Sequence, residues 1–470
     1  MSEELLKELP SGWVWSKLGD VVTKVIGGGT PSKNNPQYWN GNIPWLTVKD
    51  MRTRRPADAK NHITEEGVEK SSTNIIPEDT VIIATRIGLG KVVRVPYKAA
   101  INQDLKALIL PPDVQKGYLE YWFVSKANHL ESIGSGTTVK GIRLEQVRNL
   151  DFPLAPPEQQ KRIVAKIEEL FSHIDAGIEA LKKAQKLLKQ YRQSVLKAAV
   201  TGELTKDWRE QNKGKLEPAS QLLERILKEH RQKWEEQQLR KFQAKGKMPK
   251  DDKWKEKYKE PKKPALLVDL ENPNEWEMAS VDQVAEIWLG KMLDKGKHAT
   301  GESIQYLRNI NVRWGRIDTD NLLKMFFKES ELKRYDLSAG DVLVCEGGEP
   351  GRSAVWEGGV TLKYQKALHR VRFHLPLIPQ YLVYLLEYFA STGLLQRYFT
   401  GSTIKHFTKE SFTTLPFPLP SILEMEQMVF RVEEKLYSIN KLEDELDIQL
   451  LKAEKNKQSI LASAFNGRFN

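Results

Sequence analysis

Two long stretches of the chain repeat hydrophobic residues at alternating spacings of four and three. The first stretch covers residues 163–198 and the second covers residues 428–460. This spacing is typical of a helix that packs one apolar stripe against another helix. Each stretch ends shortly before a glycine, Gly202 or Gly467, as helices commonly do. The pattern also passes through Tyr191 and Leu442, and the predicted spacer-helix seam consists of Ile163, Ile167, Leu170, Ile174, Leu181, Leu188, Val195, Val432, Ile439, Leu446 and Ile460.

The pattern before each stripe consists of short apolar runs between turn residues. The runs TVIIA (80–84) and DVLVC (341–345) predict strands. The segments GYLEYWFVSKA (117–127) and PQYLVYLLEYFAS (379–391) predict helices. The glycine-rich segments at 27–32 and 347–351 are interpreted as turns, because no phosphate-binding pattern surrounds them. Each stripe therefore follows a mixed body of helices and strands.

The chain is an internal duplication. At a shift of 265 positions, residues 136–204 align with 401–469 without a gap, and 18 of the 69 pairs are identical. Average composition would give roughly 4 identities by chance. Upstream the match is looser: Pro10 and Trp13 correspond to Pro273 and Trp276, Trp45 and Leu46 to Tyr306 and Leu307, Gly90 to Gly351, and Gln103 to Gln365.

The two predicted helices have two possible packing partners. Each helix could pack on its own body, or the two helices could pack on each other. We favour the helix pair, because a stripe this long outruns the face of a small domain. The predicted fold class is α+β, with two pseudo-two-fold-related α/β domains separated by an antiparallel pair of long coiled-coil helices. A helix of about 40 residues would span ~60 Å.

Most of the net positive charge of the chain lies in one segment between the two halves. The net charge is +11, but residues 206–263 alone carry +8, so overall basicity does not locate a binding surface. Those residues have no counterpart in the second half. They form either a solvated connector or, through their aromatic residues, an element that docks on the bodies or on a partner. No apolar run approaches the ~20 residues of a membrane span, and a cytoplasmic protein is expected. The single cysteine, Cys345, is interpreted as a buried core residue.

Several motifs together resemble the specificity subunit of type I restriction–modification systems. They are LPSGWVWSKLGDV at 9–21, GSGTTVKGI at 134–142, FPLAPPEQQKRIVAKIEEL at 152–170, QSVLKAAVTGEL at 193–204 and DKWKEKY at 252–258. The resemblance covers essentially the whole chain. The second copy departs from it, since LPSILEMEQ stands where the first copy has LAPPEQQ. The corresponding division is a first target-recognition domain at 1–155, a spacer helix at 156–203, a basic helical connector at 204–270, a second recognition domain at 271–419 and a second spacer helix at 420–470.

The resemblance implies a DNA-reading function without catalysis. Each recognition domain would read half of a split, asymmetric sequence in double-stranded DNA, with the helices as spacer. Two methyltransferase subunits and restriction subunits would bind the chain. It would need no cofactor of its own, because S-adenosylmethionine and Mg/ATP would belong to those partners. The alternatives are a methyltransferase or nuclease with fused recognition domains, and a purely structural coiled-coil scaffold.

Candidate DNA contacts are basic and amide side chains on the loops of the bodies. Phosphates favour Lys and Arg, and base edges favour Arg, Asn and Gln. Lys140 and Lys405 occupy equivalent positions in the two copies, so they are expected to bind phosphate rather than to discriminate bases. The candidates are Lys49, Arg52, Arg54, Arg86, Lys91, Lys140 and Arg143 in the first body, and Arg308, Asn309, Asn311, Arg313, Arg352, Lys366, Lys405 and His406 in the second.

Replacing Lys405 with alanine tests the phosphate assignment. We expect Lys405→Ala to weaken binding to all DNA sequences alike. The negative slope of log affinity against log salt concentration should become shallower by about one. Titrations of specific and unrelated duplexes at several salt concentrations measure both effects. A changed sequence preference would contradict the assignment.

Overall fold

The computed structural model describes residues 9–136, 140–265, 270–293 and 301–469. The chain forms two compact units that do not follow the linear order of the sequence. The first unit contains residues 1–183 and 446–470, and the second contains residues 184–445. Each unit thus combines one body with the beginning of its own long helix and the end of the other long helix.

The first body is a mixed α+β domain. Its 3-10 helix is Pro36–Tyr38. Its other elements are β1 (Val14–Lys17), α1 (Leu18–Val21), β2 (Lys24–Gly27), β3 (Trp39–Leu46), β4 (Asn61–Ile63), α2 (Glu65–Glu69), β5 (Ile75–Ile76), β6 (Val81–Ala84), β7 (Val92–Val93), β8 (Ala99–Ile101), β9 (Leu105–Ile109), α3 (Lys116–Ser125), α4 (Ala127–Ile133), α5 (Leu144–Arg148) and β10 (Asp151–Leu154).

Within its described residues, three small sheets build this body. Strands β1 and β10 pair antiparallel, which brings the start of the body beside the residues that lead into the long helix. A four-stranded antiparallel sheet has the order β2-β9-β6-β7. The predicted strand TVIIA is its member β6, in which all four residues are buried. A second sheet has the order β4-β3-β8-β5 and contains one parallel pair, β3 with β8.

The first long helix, α6 (Pro157–Val200), leads into the connector and the second body. The 3-10 helices here are Lys213–Lys215, Asp252–Lys257, Asn309–Asn311 and Leu394–Tyr398. The other elements are α7 (Lys206–Asn212), α8 (Ala219–Ala244), β11 (Glu277–Ser280), α9 (Val281–Val284), β12 (Ala285–Leu289), β13 (Glu302–Leu307), β14 (Val312–Arg313), β15 (Arg316–Ile317), β16 (Leu323–Phe327), α10 (Glu329–Leu332), β17 (Val342–Cys345), β18 (Ser353–Val355), β19 (Lys363–Tyr364), β20 (Leu368–Phe373), α11 (Pro379–Ser391), α12 (Lys409–Thr413), β21 (Pro416–Leu419) and α13 (Ile422–Phe465).

The second body has the topology of the first. Strands β11 and β21 pair as β1 and β10 do, and β12-β20-β17-β18 form the antiparallel sheet. A three-stranded sheet, β16-β13-β19, again holds a parallel pair, in which Leu307 faces Tyr364 as Leu46 faces Ile101. Strands β14 and β15 pair with each other in a further two-stranded sheet. The mixed helix-and-sheet fold class is confirmed. The main-chain pairing corrects one detail of the alignment: Asn102 and Gln365 donate to Leu46 and Leu307, so Gln365 corresponds to Asn102 rather than to Gln103.

The end of α13 completes the core of the first unit. Leu461, Ala464 and Phe465 are buried there with residues of α3 and β10. The Phe465 ring lies 5.1 Å from that of Tyr118. Gly467, with φ +72°, then lies against Pro10, where a Cβ atom would overlap the proline ring. The absence of a side chain at Gly467 therefore allows the close approach.

The end of α6 does the same in the second unit. Leu196 and Val200 are fully buried in the core around α11. Gly202, also with φ +72°, lies against Pro273 and Trp276, and a Cβ atom on it would come within 2.5 Å of the Pro273 ring. The similar C-terminal sequences of the two helices are explained by this common task, because each helix end docks on the other copy's body.

The two long helices also contact each other through matching residues. In the first unit Lys457 forms an ion pair with Asp175. In the second unit Arg192 donates to Asn440 and forms an ion pair with Glu443 at 3.2 Å. Arg192 aligns with Lys457, and Asp175 with Asn440, at the shift of 265. The same helix–helix contact is therefore built once in each unit.

The predicted seam residues are all buried or partly buried, as are their neighbours Phe171 and Ile178. Tyr191 and Leu442 are 48% and 53% exposed, so the extension of the stripe through them is wrong. The physical reason is that each helix end packs on a body as well as on a helix, which widens and shifts its buried face. The two packing alternatives are thus not exclusive, since Ile163 and Ile167 bury against the helix's own body.

The connector docks on the second body. Leu222 and Ile226 of α8 are fully buried in the core of the second unit. Further along, Trp234 stacks on Trp254 at 6.0 Å, and Lys233 donates to the carbonyl of His374 at 2.7 Å. The aromatic residues of the connector therefore hold it in place within the unit. Among the described helices, none is both long and apolar enough to cross a membrane.

Removing the Phe465 side chain tests the docking of the helix end. We expect Phe465→Ala to lower the free energy of unfolding of the first unit by about 3–5 kcal/mol, because it leaves a cavity in a closed core. Urea denaturation followed by hydrogen exchange in β6 and β9 measures the loss.

Phe430 on the same helix provides the matched control, because 63% of its surface is exposed. Phe430→Ala is expected to change stability by less than about 0.5 kcal/mol. Equal effects of the two substitutions would argue against a docked helix end.

Candidate nucleic-acid interface

Three segments of the first body come together beyond the ends of its strands. They are 47–52, 85–91 and 140–143, and we call them the first loop surface. The amide of Ile142 donates to Thr85 O at 2.9 Å, and the amide of Ile87 donates to Lys140 O at 3.3 Å. The segment 85–91 also abuts Val48, since a Cβ atom on Gly88 would lie 3.0 Å from Val48 Cγ1. Backbone hydrogen bonds thus join residues that lie more than 50 positions apart in the sequence.

Most of the predicted contacts of the first body are exposed on this surface. Residues 137–139 of the motif GTTVKGI lie outside the described part of the chain. The side chain of Arg86 is 56% exposed and lies 3.7 Å from Asp104. The exposed cations on the surface are Lys49, Arg52, Arg86, Lys91, Lys140 and Arg143. One sign of charge therefore dominates, which suits phosphate binding.

Arg54 is the exception among these predictions. Its guanidinium lies 4.7 Å above the ring of Tyr121 and 3.6 Å from the fully buried carboxylate of Glu120. Arg55 and Arg94 donate to the same carboxylate. Arg54 thus belongs to a cluster that neutralises a buried charge, and its geometry does not support the predicted DNA contact.

A cavity of about 660 Å³ opens beside the first loop surface. Its polar groups come from separate parts of the sequence, and Gln103 is held by Thr30 at 2.6 Å. Sequence reasoning did not select Lys33, Asn61 or Gln103, because no linear pattern links them and only the two sheets bring them together. The lining is Thr30, Lys33, Trp39, Trp45, Thr47, Val48, Lys49, Asn61, Ile87, Asn102, Gln103 and Asp104.

The second body repeats the arrangement. Segments 308–313, 346–352 and 400–406 form the second loop surface. The amide of Phe407 donates to Glu346 O at 2.8 Å, as Ile142 does to Thr85. The side-chain amide of Asn309 donates to Gly347 O at 3.2 Å and so joins segment 308–313 to segment 346–352. Two bodies with different side chains therefore share one backbone framework.

The predicted contacts of the second body fall into two groups. Arg313, Lys366, Lys405 and His406 are exposed, and Arg308 and Asn309 are half-buried. Lys366 interacts electrostatically with Glu346 of the second loop surface. The Lys405 ammonium donates to Gly401 O at 2.8 Å, within the loop 400–406.

Asn311 and Arg352 need correction. Asn311 is 3% exposed, and its amide donates to Asp318 O and Asn321 O. Arg352 binds Glu349 at 2.6 Å and the carbonyl of Asn309 at 2.8 Å. Both side chains fix the loops internally, so the geometry does not support DNA contacts by them.

Titratable groups at and beneath the second loop surface have shifted pKa values with clear causes. Burial raises the pKa of the Glu346 carboxyl, and the nearby Lys366 and His406 partly oppose this shift. Burial also raises the pKa of the Cys345 thiol to about 11, in agreement with a core cysteine. His369 is fully buried and its Nε2 lies 2.7 Å from Phe407 O. Burial lowers its pKa to about 4, so the neutral ring donates from Nε2 and holds the loop segment.

Comparison with known proteins agrees with this geometry. The family model of the type I restriction modification DNA specificity domain matches residues 10–187. The specificity subunit of the type I restriction enzyme EcoKI from Escherichia coli is 22% identical over 476 residues, which are 98% of this chain and 90% of that protein. This chain is therefore similar to a type I restriction enzyme specificity subunit over almost its whole length.

Other known proteins match either part of the sequence of this chain or its fold. The MjaIX specificity subunit from Methanocaldococcus jannaschii is 29% identical over 206 residues, which are 43% of this chain but only 44% of that subunit. A solved chain, described under complex assembly and conformational transition of the type I R-M system, superposes with a TM-score of 0.68. The superposition covers 98% of this chain and 99% of that chain at 18% identity, so the two chains share a fold.

The buried imidazole makes the second loop surface sensitive to acid. The folded chain keeps His369 neutral down to about pH 4, whereas the unfolded chain takes up a proton near pH 6.5. The stability that neutral His369 contributes is therefore complete above pH 6.5 and is lost as the pH falls towards 4. Between pH 7 and pH 5 we expect a loss of about 2 kcal/mol.

His369→Gln should remove this contribution, because an amide can donate to Phe407 O without titrating. Hydrogen exchange of the Phe407 amide at pH 7 and pH 5, corrected for intrinsic rates, reports the local stability. His406→Gln, at an exposed neighbouring position, serves as the control. An unchanged pH dependence in His369→Gln would refute the role of this ring.

Proposed function

We propose that this chain is the DNA-recognition subunit of a type I restriction–modification complex. Each unit reads one half of a bipartite, asymmetric target in double-stranded DNA. The observation that carries the proposal is the loop surface built twice on a duplicated chain. A shared backbone framework with different side chains is what recognition of two different half-sites requires.

The chemistry of the side chains in each loop surface indicates which of them bind phosphates and which read bases. Lys140 and Lys405 occupy equivalent positions and are exposed. A residue common to both copies cannot distinguish two half-sites, so these lysines bind phosphate. The groups that differ, such as Gln103 in the first unit and Glu346 in the second, read base edges. An amide can bind adenine bidentately, and a carboxylate can accept from the amino group of cytosine.

The chemistry of modification and cleavage belongs to other subunits in this proposal. Two methyltransferase subunits bring S-adenosylmethionine, and restriction subunits use Mg/ATP. Cys345 and His369 are of residue types that can act in catalysis, but both have structural roles here. Cys345 is buried, and the His369 ring is hydrogen-bonded to Phe407 O. The chain itself is non-catalytic and acts in the cytoplasm with its DNA.

Mapping of methylated adenines tests the proposed function and identifies the DNA target sequence in the same experiment. The chain with its methyltransferase subunits is exposed to random DNA, and methylated adenines are located by sequencing. We expect two short specified sequences separated by an unspecified spacer. A single continuous target, or methylation without sequence preference, would contradict the proposal.

Gln103→Ala assigns the first half-site to the first unit. Loss of this exposed amide is expected to relax the preference at one base pair of one half-site by about 1–3 kcal/mol and to leave the other half unchanged. Gln190→Ala, on the exposed face of α6, is the matched control and should leave the target as it is. A relaxed base preference in both half-sites would contradict the assignment of one half-site to each unit.

A further inference from the structure

Ile87 has an unusual backbone conformation for its residue type. Its φ is +51°, in the left-handed region, which β-branched side chains rarely adopt. It follows Arg86 at the tip of the segment between β6 and β7. The hydrogen bond from its amide to Lys140 O holds the backbone there. The conformation is therefore imposed by the framework of the first loop surface.

The second unit has a glycine at the same place. Gly348 lies two residues after Glu346, as Ile87 lies two residues after Thr85, and its φ is +81°. Glycine adopts this conformation without steric cost. The framework thus requires a positive φ in both units, but it does not require a side chain.

The side chain of Ile87 is too exposed for its packing to explain the strained backbone conformation. Ile87 is 53% exposed, whereas its neighbour Leu89 is 4% exposed in the core. Ile87 lines the cavity of about 660 Å³ together with Lys49 and Gln103. A strained, exposed aliphatic group among cations and amides is a feature that a binding partner would use.

We propose that Ile87 is a specificity-determining residue of the first unit and that it contacts the C5 methyl group of a thymine in the major groove. The inference rests on the proposed function. Any phosphate contacts that the surrounding lysines and arginines make carry no sequence information. An aliphatic side chain among them can recognise the one apolar group on the base-pair edges of the major groove, the thymine methyl. Gly348 gives the second unit no such contact, so the preference belongs to one half-site only.

Deoxyuridine substitution tests the contact, because it removes the methyl group and nothing else. Each thymine of the first half-site is replaced singly, and binding of the chain with its methyltransferase subunits is measured. We expect one replacement to weaken binding by the unmodified chain about fourfold, the effect of one buried methyl group. Ile87→Gly should bind that duplex and the thymine duplex equally.

The glycine variant is expected to fold, because Gly348 occupies the equivalent position. Ile75→Ala removes an exposed isoleucine elsewhere on the first body and should keep the fourfold discrimination. The proposal is overturned if no thymine replacement matters, or if Ile87→Gly still discriminates. It is also overturned if the variant changes only DNA bending, which would mark Ile87 as an intercalating wedge. Failure of the unmodified chain to prefer its target over random DNA would instead refute the proposed function.

Discussion

The structure depends on the docking of each long helix end on the body of the other copy. A glycine with φ +72° meets the first proline of that body, Pro10 in one unit and Pro273 in the other. The preceding helical turns supply core residues such as Phe465 and Val200. Because each core is incomplete without residues from the other half of the sequence, neither half can bury its apolar surface alone. Two bodies that carry different side chains are thereby joined in one fold.

The two docking sites have diverged in charge. Trp13 donates to Gln159 at 2.5 Å in the first unit, and Trp276 donates to Glu424 at 2.9 Å in the second. Gln159 and Glu424 are equivalent at the shift of 265. The buried carboxylate of Glu424 also accepts from Arg209 at 2.6 Å, a residue of the connector. A buried charge requires such a partner, so the connector is part of the second docking site as well as a link between the halves.

The loop surfaces combine a common framework with separate side chains. The hydrogen bonds from Ile142 to Thr85 and from Phe407 to Glu346 set the same backbone geometry in both units. On this framework the first unit presents the strained Ile87 where the second has Gly348. The first unit tolerates the conformational cost at Ile87 although this residue is 53% exposed in the free chain. Recognition of different partners by like bodies is the simplest physical reason for the difference.

The sequence by itself determined the duplication, the α+β class, the long helices and the exposed basic loops, because periodicity and repeated motifs are local properties. Only the tertiary structure decided which buried face each helix uses, since Tyr191 fits the heptad spacing but lies in solvent. It also separated Lys49 from Arg54, two similar cations, by placing Glu120 and Tyr121 beside the second. The cavity groups Lys33, Asn61 and Gln103 and the strain at Ile87 were likewise invisible in sequence. Side-chain roles depend on neighbours distant along the chain, and these neighbours are set by sheet pairing and core packing rather than by local pattern.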